Sequence, residues 1–368
     1  MARIAFVSTL DSVPWGGSEA LWSQAAAHLA RRGVAVDANV WRWPDLAPPL
    51  QELQAAGGRI AQRRTLRRLD PLLGGLFARR VCRWLDAIRP DLLVIAQSYH
   101  TQGAEWMQAC ATRKIPYALL VQAAGEYAWP HDADAQRLAQ GFEGARACFF
   151  VSEGNLAFVR RQLATPIPKA RVVRNPFHVS YEAAPPWPPD TGVYRLACIG
   201  RLQSMAKGQD LLLEVLRSPQ WQARALQVTL YGQGPNEATL RRLAQMYGLS
   251  AVRFGGYRAD IEGLWGEHHG LVLPSRFEGL PLVVVEAMLC GRPCIVTDVA
   301  GNAELIEDGV SGFVASGPTV ALLDAALERA WERRGEWGAI GEAAARRVRE
   351  LVPRDPAAVF AEELLKLV

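Results

Sequence analysis

No run of apolar residues in this 368-residue chain is long enough to cross a bilayer. The opening MARIAFVSTLDS turns polar too soon for a signal peptide. A cytoplasmic protein is therefore expected, with peripheral contact at the inner face of a membrane left open. The six cysteines, Cys82, Cys110, Cys148, Cys198, Cys290 and Cys294, form no C-x-x-C pair and sit mostly inside apolar runs such as ACFF and LACIG. That argues against a zinc site or a disulfide frame and for buried thiols in a reducing compartment. Lysine is scarce, so the net charge of +4 rests almost wholly on arginine. Such a balance suits phosphates or an anionic surface, and no nucleic-acid partner is expected. A G-K-[ST] triplet is absent, and Y-G-Q-G-P offers only G-x-G, which weakens P-loop kinase and dinucleotide dehydrogenase readings.

What remains is a soluble α/β pattern, with 50% hydrophobic and 21% charged residues over a two-domain length. Short aliphatic runs predict strands at RIAFVS, DLLVIAQ, PYALLVQ and ACFFVS, then at YRLACIG, LQVTLYG, AVRFGG, GLVLPS and PCIVTD. Amphipathic stretches such as SEALWSQAAAHLARRG and TVALLDAALERAWERRG alternate with them, as βαβ units on parallel sheets require. The proline-rich residues 183–192 predict a linker between a first domain at 1–182 and a second at 193–352.

Ligands in open α/β sheets bind beyond the carboxyl ends of strands. After the first strand, Gly16 and Gly17 permit close backbone approach, and Ser18 and Glu19 can cap the following helix beside a bound anion; an ordinary loop and cap would look the same. After YRLACIG, Arg201 and Lys207 stand around a helix start, a fork and a mobile charge suited to a diphosphate. After GLVLPS, Glu278 lies in a loop and Pro281 near the first turn of a helix that carries Glu286. The two carboxylates can face one elongated ligand, or serve as a loop cap and an ion-pair partner.

The chain resembles the retaining GT-B glycosyltransferases of family 4. The resemblance lies in F-E-G-L-P followed by E-A-M with glutamates eight apart, G-R-L…K-G at 200–208, and Y-G-Q-G-P at 231–235. G-G-S-E at 16–19 and V-A-G-N-A-E-L-I at 299–306 complete it, so the motifs span almost the whole chain. It implies two Rossmann-like domains facing across a cleft, the first for the acceptor and the second for a nucleotide-activated sugar, with a last helix in 353–368 crossing back onto the first. It further implies that Arg201 and Lys207 hold the diphosphate, that main-chain N–H groups of Gly279 and Leu280 contact donor sugar or phosphate, that Glu278 binds sugar hydroxyls and Glu286 the ribose, and that the loop at Gly16 and Gly17 closes over the phosphates. The donor would be a UDP- or GDP-linked sugar, with no tightly bound cofactor and no metal needed where two cations neutralise the leaving group.

One departure concerns a histidine that many relatives carry after a strand of the first domain. This chain has Gln122 or Ala124 there, with Glu126, His131 and His100 as nearby polar candidates. Asn175 resembles a family position and equally suits a turn before proline. Residues 63–85 interleave arginines with Leu, Phe and Trp, which fits either anionic lipid presenting a lipid-linked acceptor or a solvated helix packed on the sheet. Most of the twelve tryptophans read as core residues, with Trp15 and Trp129 as the exceptions beside the expected site. An acceptor could be a glycan, a lipid-linked sugar or a small molecule. A sugar-nucleotide epimerase would share the diphosphate clamp, and a non-catalytic binding subunit should have lost part of the set that is intact here.

Overall fold

Period-two alternation fixes the first sheet in the computed structural model, which describes residues 2–64, 70–126 and 129–368. In β1 (Arg3–Ser8), Ile4 and Phe6 enter one apolar cluster while Ala5 and Val7 enter another on the opposite face. The same division holds in β4 (Leu92–Gln97), β5 (Tyr117–Val121) and β6 (Ala147–Phe150), where Phe149 and Phe150 point to opposite cores. With β2 (Ala35–Trp41), β3 (Arg59–Arg63) and β7 (Ala170–Val172) they form a parallel sheet in the order β3-β2-β1-β4-β5-β6-β7. A second parallel sheet joins β8 (Tyr194–Ile199), β9 (Leu226–Tyr231), β10 (Val252–Gly256), β11 (Gly270–Leu273), β12 (Cys294–Thr297) and β13 (Gly312–Ala315) in the order β10-β9-β8-β11-β12-β13. Strand order reverses between β1 and β4 and again between β8 and β11, the doubly wound arrangement of Rossmann-like domains. The nine expected strands all form; β2, β3, β7 and β13 are additional.

The chain divides into one unit of Met1–Pro176 with Asp355–Val368 and a second of Phe177–Arg354. The divisions fall at 176/177 and 354/355, where the sequence suggested 182/183 and 352/353. The final helix Pro356–Leu365, capped by Asp355, adds Phe360, Ala361 and Leu364 to the first unit's core, and the Phe360 ring meets Phe149 edge-on at 5.0 Å. The proline-rich stretch 183–192 belongs to the second unit. Arg292, only 3% exposed, holds it: Nε donates to the carbonyls of Trp265 (2.8 Å) and His268 (2.9 Å), and Nη2 to that of Pro186 (2.7 Å). Proline lacks an N–H but keeps a carbonyl, so a guanidinium fork is the natural anchor for such a segment.

Residues 65–69 of the basic stretch 63–85 lie outside the described residues, as do residues 127 and 128 beside Trp129. Within the helix Asp70–Ile88, Val81 and Leu85 are buried in the first unit's core while Arg79 and Arg80 are exposed. Among the described residues no helix is long and apolar enough to cross a membrane. Four tryptophans, Trp22, Trp106, Trp265 and Trp337, are fully buried, whereas Trp129 is 55% exposed.

The expected capping by Ser18 and Glu19 is corrected. Neither side chain caps the helix Ala20–Arg31; Glu19 turns inward, 3% exposed, and accepts from Trp22 Nε1 (2.9 Å) and Ser18 Oγ (3.3 Å). Burial pushes its carboxyl up to about 7 against the opposing pull of those bonds, Ser8 and Arg63.

Two outcomes follow from these buried charges. Arg292→Met should lower the stability of the second unit by about 2 to 3 kcal/mol, and Arg292→Lys should recover less than half, as read by urea unfolding under tryptophan fluorescence. For Glu19, the folded chain keeps a proton that the unfolded chain releases near pH 4.5, so stability falls as pH rises from 4.5 through 7. Glu19→Gln should flatten that slope and gain roughly 3 kcal/mol at most by pH 8, measured as unfolding free energy against pH.

Candidate active site

The switch point of the second sheet brings together two loops, one after β8 and one after β11. The first passes Gly200 and Arg201 into the single turn Ser204–Lys207, which Gly208 ends at φ +63° before the helix Gln209–Leu216 begins. A Cβ at position 208 would stand 1.9 Å from the carbonyl oxygen of Pro274, so both the left-handed φ and the close approach require glycine. The Ala206 carbonyl accepts the main-chain N–H groups of Arg276 (2.8 Å) and Phe277 (3.0 Å). Arg276 also forks onto Asp210 at 2.6 and 2.8 Å and reaches the Ser204 carbonyl at 2.8 Å.

These contacts seat Lys207 Nζ 2.5 Å from Glu278 Oε1, which also accepts from Ser275 Oγ at 2.7 Å. Glu278 is 6% exposed and buried against its partners rather than projecting freely from the loop, while its Oε2 has no donor among the described residues. The Lys207 stem runs beside Gly200, and the Arg201 guanidinium is exposed without a partner among the described residues. Gly279 accepts the Gly301 N–H through its carbonyl at 2.9 Å, which ties this loop to the V-A-G-N stretch. The N–H groups of Gly279 and Leu280 have no acceptor among the described residues, and the Leu280 side chain is buried. Pro281 stands at the N-cap position, immediately before the first turn of the helix Leu282–Leu289.

Glycines of Y-G-Q-G-P serve backbone packing. A Cβ on Gly232 would meet the Gly200 carbonyl oxygen at 2.1 Å, and one on Gly234 the Leu202 carbonyl oxygen at 2.4 Å. Next to Gly301, Ala300 sits at φ +49° and Asn302 is fully buried with both amide atoms unpaired among the described residues. Strain and an orphaned amide side by side are features that gather at ligand sites.

Glu286 is 4% exposed, and the structure joins it to His178 rather than to Glu278: its Oε1 accepts the His178 main-chain N–H at 3.0 Å and lies 2.9 Å from Nδ1. That carboxylate raises the His178 imidazole above its usual range, burial opposing. Ser275, Asp210, His178 and Asn302 were not singled out in the sequence: Asp210 and His178 act on partners distant in the chain, Ser275 is an ordinary polar residue three positions from Glu278, and Asn302 shows its burial only in the fold.

The first unit holds the other expected residues. Gly16 is extended at φ −155°, and Gly17 opens the short 3-10 turn Gly17–Glu19. A Cβ on Gly16 would meet only ordinary contacts at 3.7 Å or beyond, so the unit's own packing does not demand glycine there. His100 is fully buried between the Tyr99 and Phe158 rings, and burial drives its imidazole down to about 4. Gln122 and Ala124 are buried, Glu126 pairs with Arg161 at 3.2 Å, and His131 precedes the helix Asp132–Gly144. Asn175 is 4% exposed, its Oδ1 unpaired among the described residues, and Trp15 is partly buried against the core. The chain does carry a D-x-D triplet, residues 132–134, but it opens that helix and Asp134 pairs with Arg137.

Residues 15–181 match the Glycosyltransferase Family 4 model and residues 194–332 the Glycosyl transferases group 1 model. The Vi polysaccharide biosynthesis protein VipC/TviE of Salmonella typhi is 35% identical over 115 residues, 31% of this chain and 20% of that protein. D-inositol 3-phosphate glycosyltransferase of Frankia alni is 32% identical over 167 residues, 40% of each. The matched parts thus span well under half the length of these curated relatives. Anabaena Alr3699/HepE, solved in complex with UDP, shares the fold over 100% of both chains at a TM-score of 0.79 with 18% identity. Both family models describe glycosyltransferases and together take in most of the sequence, and the two Rossmann-like sheets give the chain the GT-B fold.

Proposed function

We propose that the chain is a retaining, metal-independent hexosyltransferase. It would move a hexose from a uridine- or guanosine-diphosphate sugar to a glycan, lipid-linked or small-molecule acceptor, in building a cell-surface polysaccharide or a lipid-linked oligosaccharide. The observation that carries the reading is the Lys207–Glu278 contact of 2.5 Å beside the exposed Arg201 at a switch point. Two cations there can neutralise the charge that grows on a departing diphosphate. The free N–H groups of Gly279 and Leu280 suit phosphate or sugar oxygens, Glu278 suits sugar hydroxyls, and Glu286 suits the ribose. Of the two bases, uridine is favoured by the solved complexes of Anabaena Alr3699/HepE with UDP and with UDP-glucose. The name of the Salmonella relative favours polysaccharide assembly.

In the reaction the bond between the sugar's anomeric carbon and the diphosphate oxygen breaks, and a bond to the acceptor oxygen forms on the same face. The acceptor proton passes to the leaving phosphate. Glu278 acts in this scheme as a ligand of the sugar, and its contact with Lys207 holds it ready.

Thermal unfolding with UDP, GDP, ADP and TDP tests the donor reading. A ligand at a hundred times its Kd adds about 2.7 kcal/mol to the folded state, so UDP should raise the midpoint clearly. No rise with any of the four would overturn it. Glu278→Ala should abolish transfer yet leave UDP affinity within a few-fold of wild type, whereas Lys207→Ala should weaken UDP by about 2 to 3 kcal/mol. Full turnover by the first variant removes Glu278 from the mechanism, and unchanged UDP affinity in the second counts against the clamp.

A further inference from the structure

Glu286 stands between the fully buried Val285 and Ala287, where a carboxylate left to itself would be costly. Among the described residues, its hydrogen bonds come from one residue. Both the main-chain N–H of His178 (3.0 Å) and the ring Nδ1 (2.9 Å) meet Oε1. A carboxylate only accepts, so Nδ1 carries the hydrogen and two donors converge on one oxygen. Two bonds to the same atom fix the rotation of the carboxylate plane. The second oxygen, Oε2, has no donor among the described residues and is not sealed from solvent.

The His178 side chain is 62% exposed, so packing does not hold the ring; Glu286 does. Two residues on, the Ser180 N–H is accepted by Glu262 Oε2 at 2.9 Å, which anchors the same extended segment a second time. Tyr181 completes the attachment, its hydroxyl donating to the Arg349 carbonyl at 2.8 Å. The segment is therefore held in place even without the imidazole. What the imidazole adds is confined to the Glu286 carboxylate.

We propose that His178 is the positioning residue of Glu286: its two N–H groups fix one carboxylate oxygen and thereby aim the other at the ribose hydroxyls of the donor nucleotide. The assignment rests on the reading of Glu286 as the ribose ligand. A purely structural role for the ring would change all nucleotides alike, whereas aiming a carboxylate changes only how the hydroxyls are told apart.

The test is calorimetric binding of UDP, 2′-deoxyuridine diphosphate and 3′-deoxyuridine diphosphate to the full chain, with unfolding midpoints recorded for every variant. Wild type should prefer UDP over the weaker deoxy analogue by about tenfold, the scale of one hydrogen bond to a charged group. His178→Ala should lower the midpoint only slightly, because the main-chain donor remains, and should cut that preference roughly threefold or more. His178→Asn, whose amide can donate from nearly the same place, should restore most of it. An unaltered preference in His178→Ala, or an Asn variant no better than Ala, overturns the assignment. If Glu286→Ala loses the preference while His178→Ala keeps it, only the role of His178 falls. If Glu286→Ala keeps it, or wild type shows none, the ribose reading falls and this one with it.

Discussion

The carbonyl of Pro274 and the main chain at Gly208 come so close that no side chain fits between them, and the rest of the site depends on that approach. It sets the turn Ser204–Lys207 against the loop after β11, so that one carbonyl, that of Ala206, can take two N–H groups from the facing loop. Arg276 then crosses in the other direction to Asp210 and the Ser204 carbonyl. Only with both connections made does Lys207 arrive at Glu278. Backbone bonds thus place the charged groups, and the charged groups need little conformational freedom of their own to meet.

The neighbouring glycines extend the same logic. Gly232 and Gly234 let the loop after β9 lie directly on the carbonyls of Gly200 and Leu202, and bonds from Leu202 N–H to the Gln233 carbonyl (3.1 Å) and from Asn236 N–H to the Leu202 carbonyl (3.0 Å) hold it there. Three loops at the carboxyl ends of β8, β9 and β11 become one backbone assembly. Such rigidity is what a site needs when its side chains must be positioned within a fraction of an ångström.

Strands carried by aliphatic runs, and the loops that follow them, were legible in the sequence because burial on both faces leaves a nearly continuous apolar signal. β2 was not, since Asp37 and Asn39 interrupt it; both are buried and answered by Arg59 and Arg63 of β3, a compensation invisible until the strands pair. β7 spans three residues, too short for periodicity to speak. The candidate glutamates were legible as a pair, yet their partners were not: Glu286 takes a main-chain N–H, which has no signature in the sequence, and Glu278 takes Ser275 and a lysine 71 positions away. The linker was misplaced for a related reason. Proline content marks an extended segment, but which unit it lies on is decided by Arg292, a residue whose role appears only when six carbonyls surround it.

Pairing also separates the two cations in what they can do. Lys207 is neutralised in place by a carboxylate that is itself almost buried, with side-chain exposures of 24% and 7%. Arg201 is compensated by solvent. In the proposed reading, an arriving diphosphate loses part of its own hydration and gains Arg201 at little cost, because an exposed guanidinium has only water to give up. Lys207 must divide its donors between the phosphate and Glu278. Ammonium has three, and Glu278 retains the Ser275 hydroxyl, so the division leaves neither carboxylate nor phosphate unpaired. The partly exposed lysine side chain can shift more readily than the buried glutamate, so in this reading the cation moves toward the ligand while the carboxylate stays where the sugar must find it.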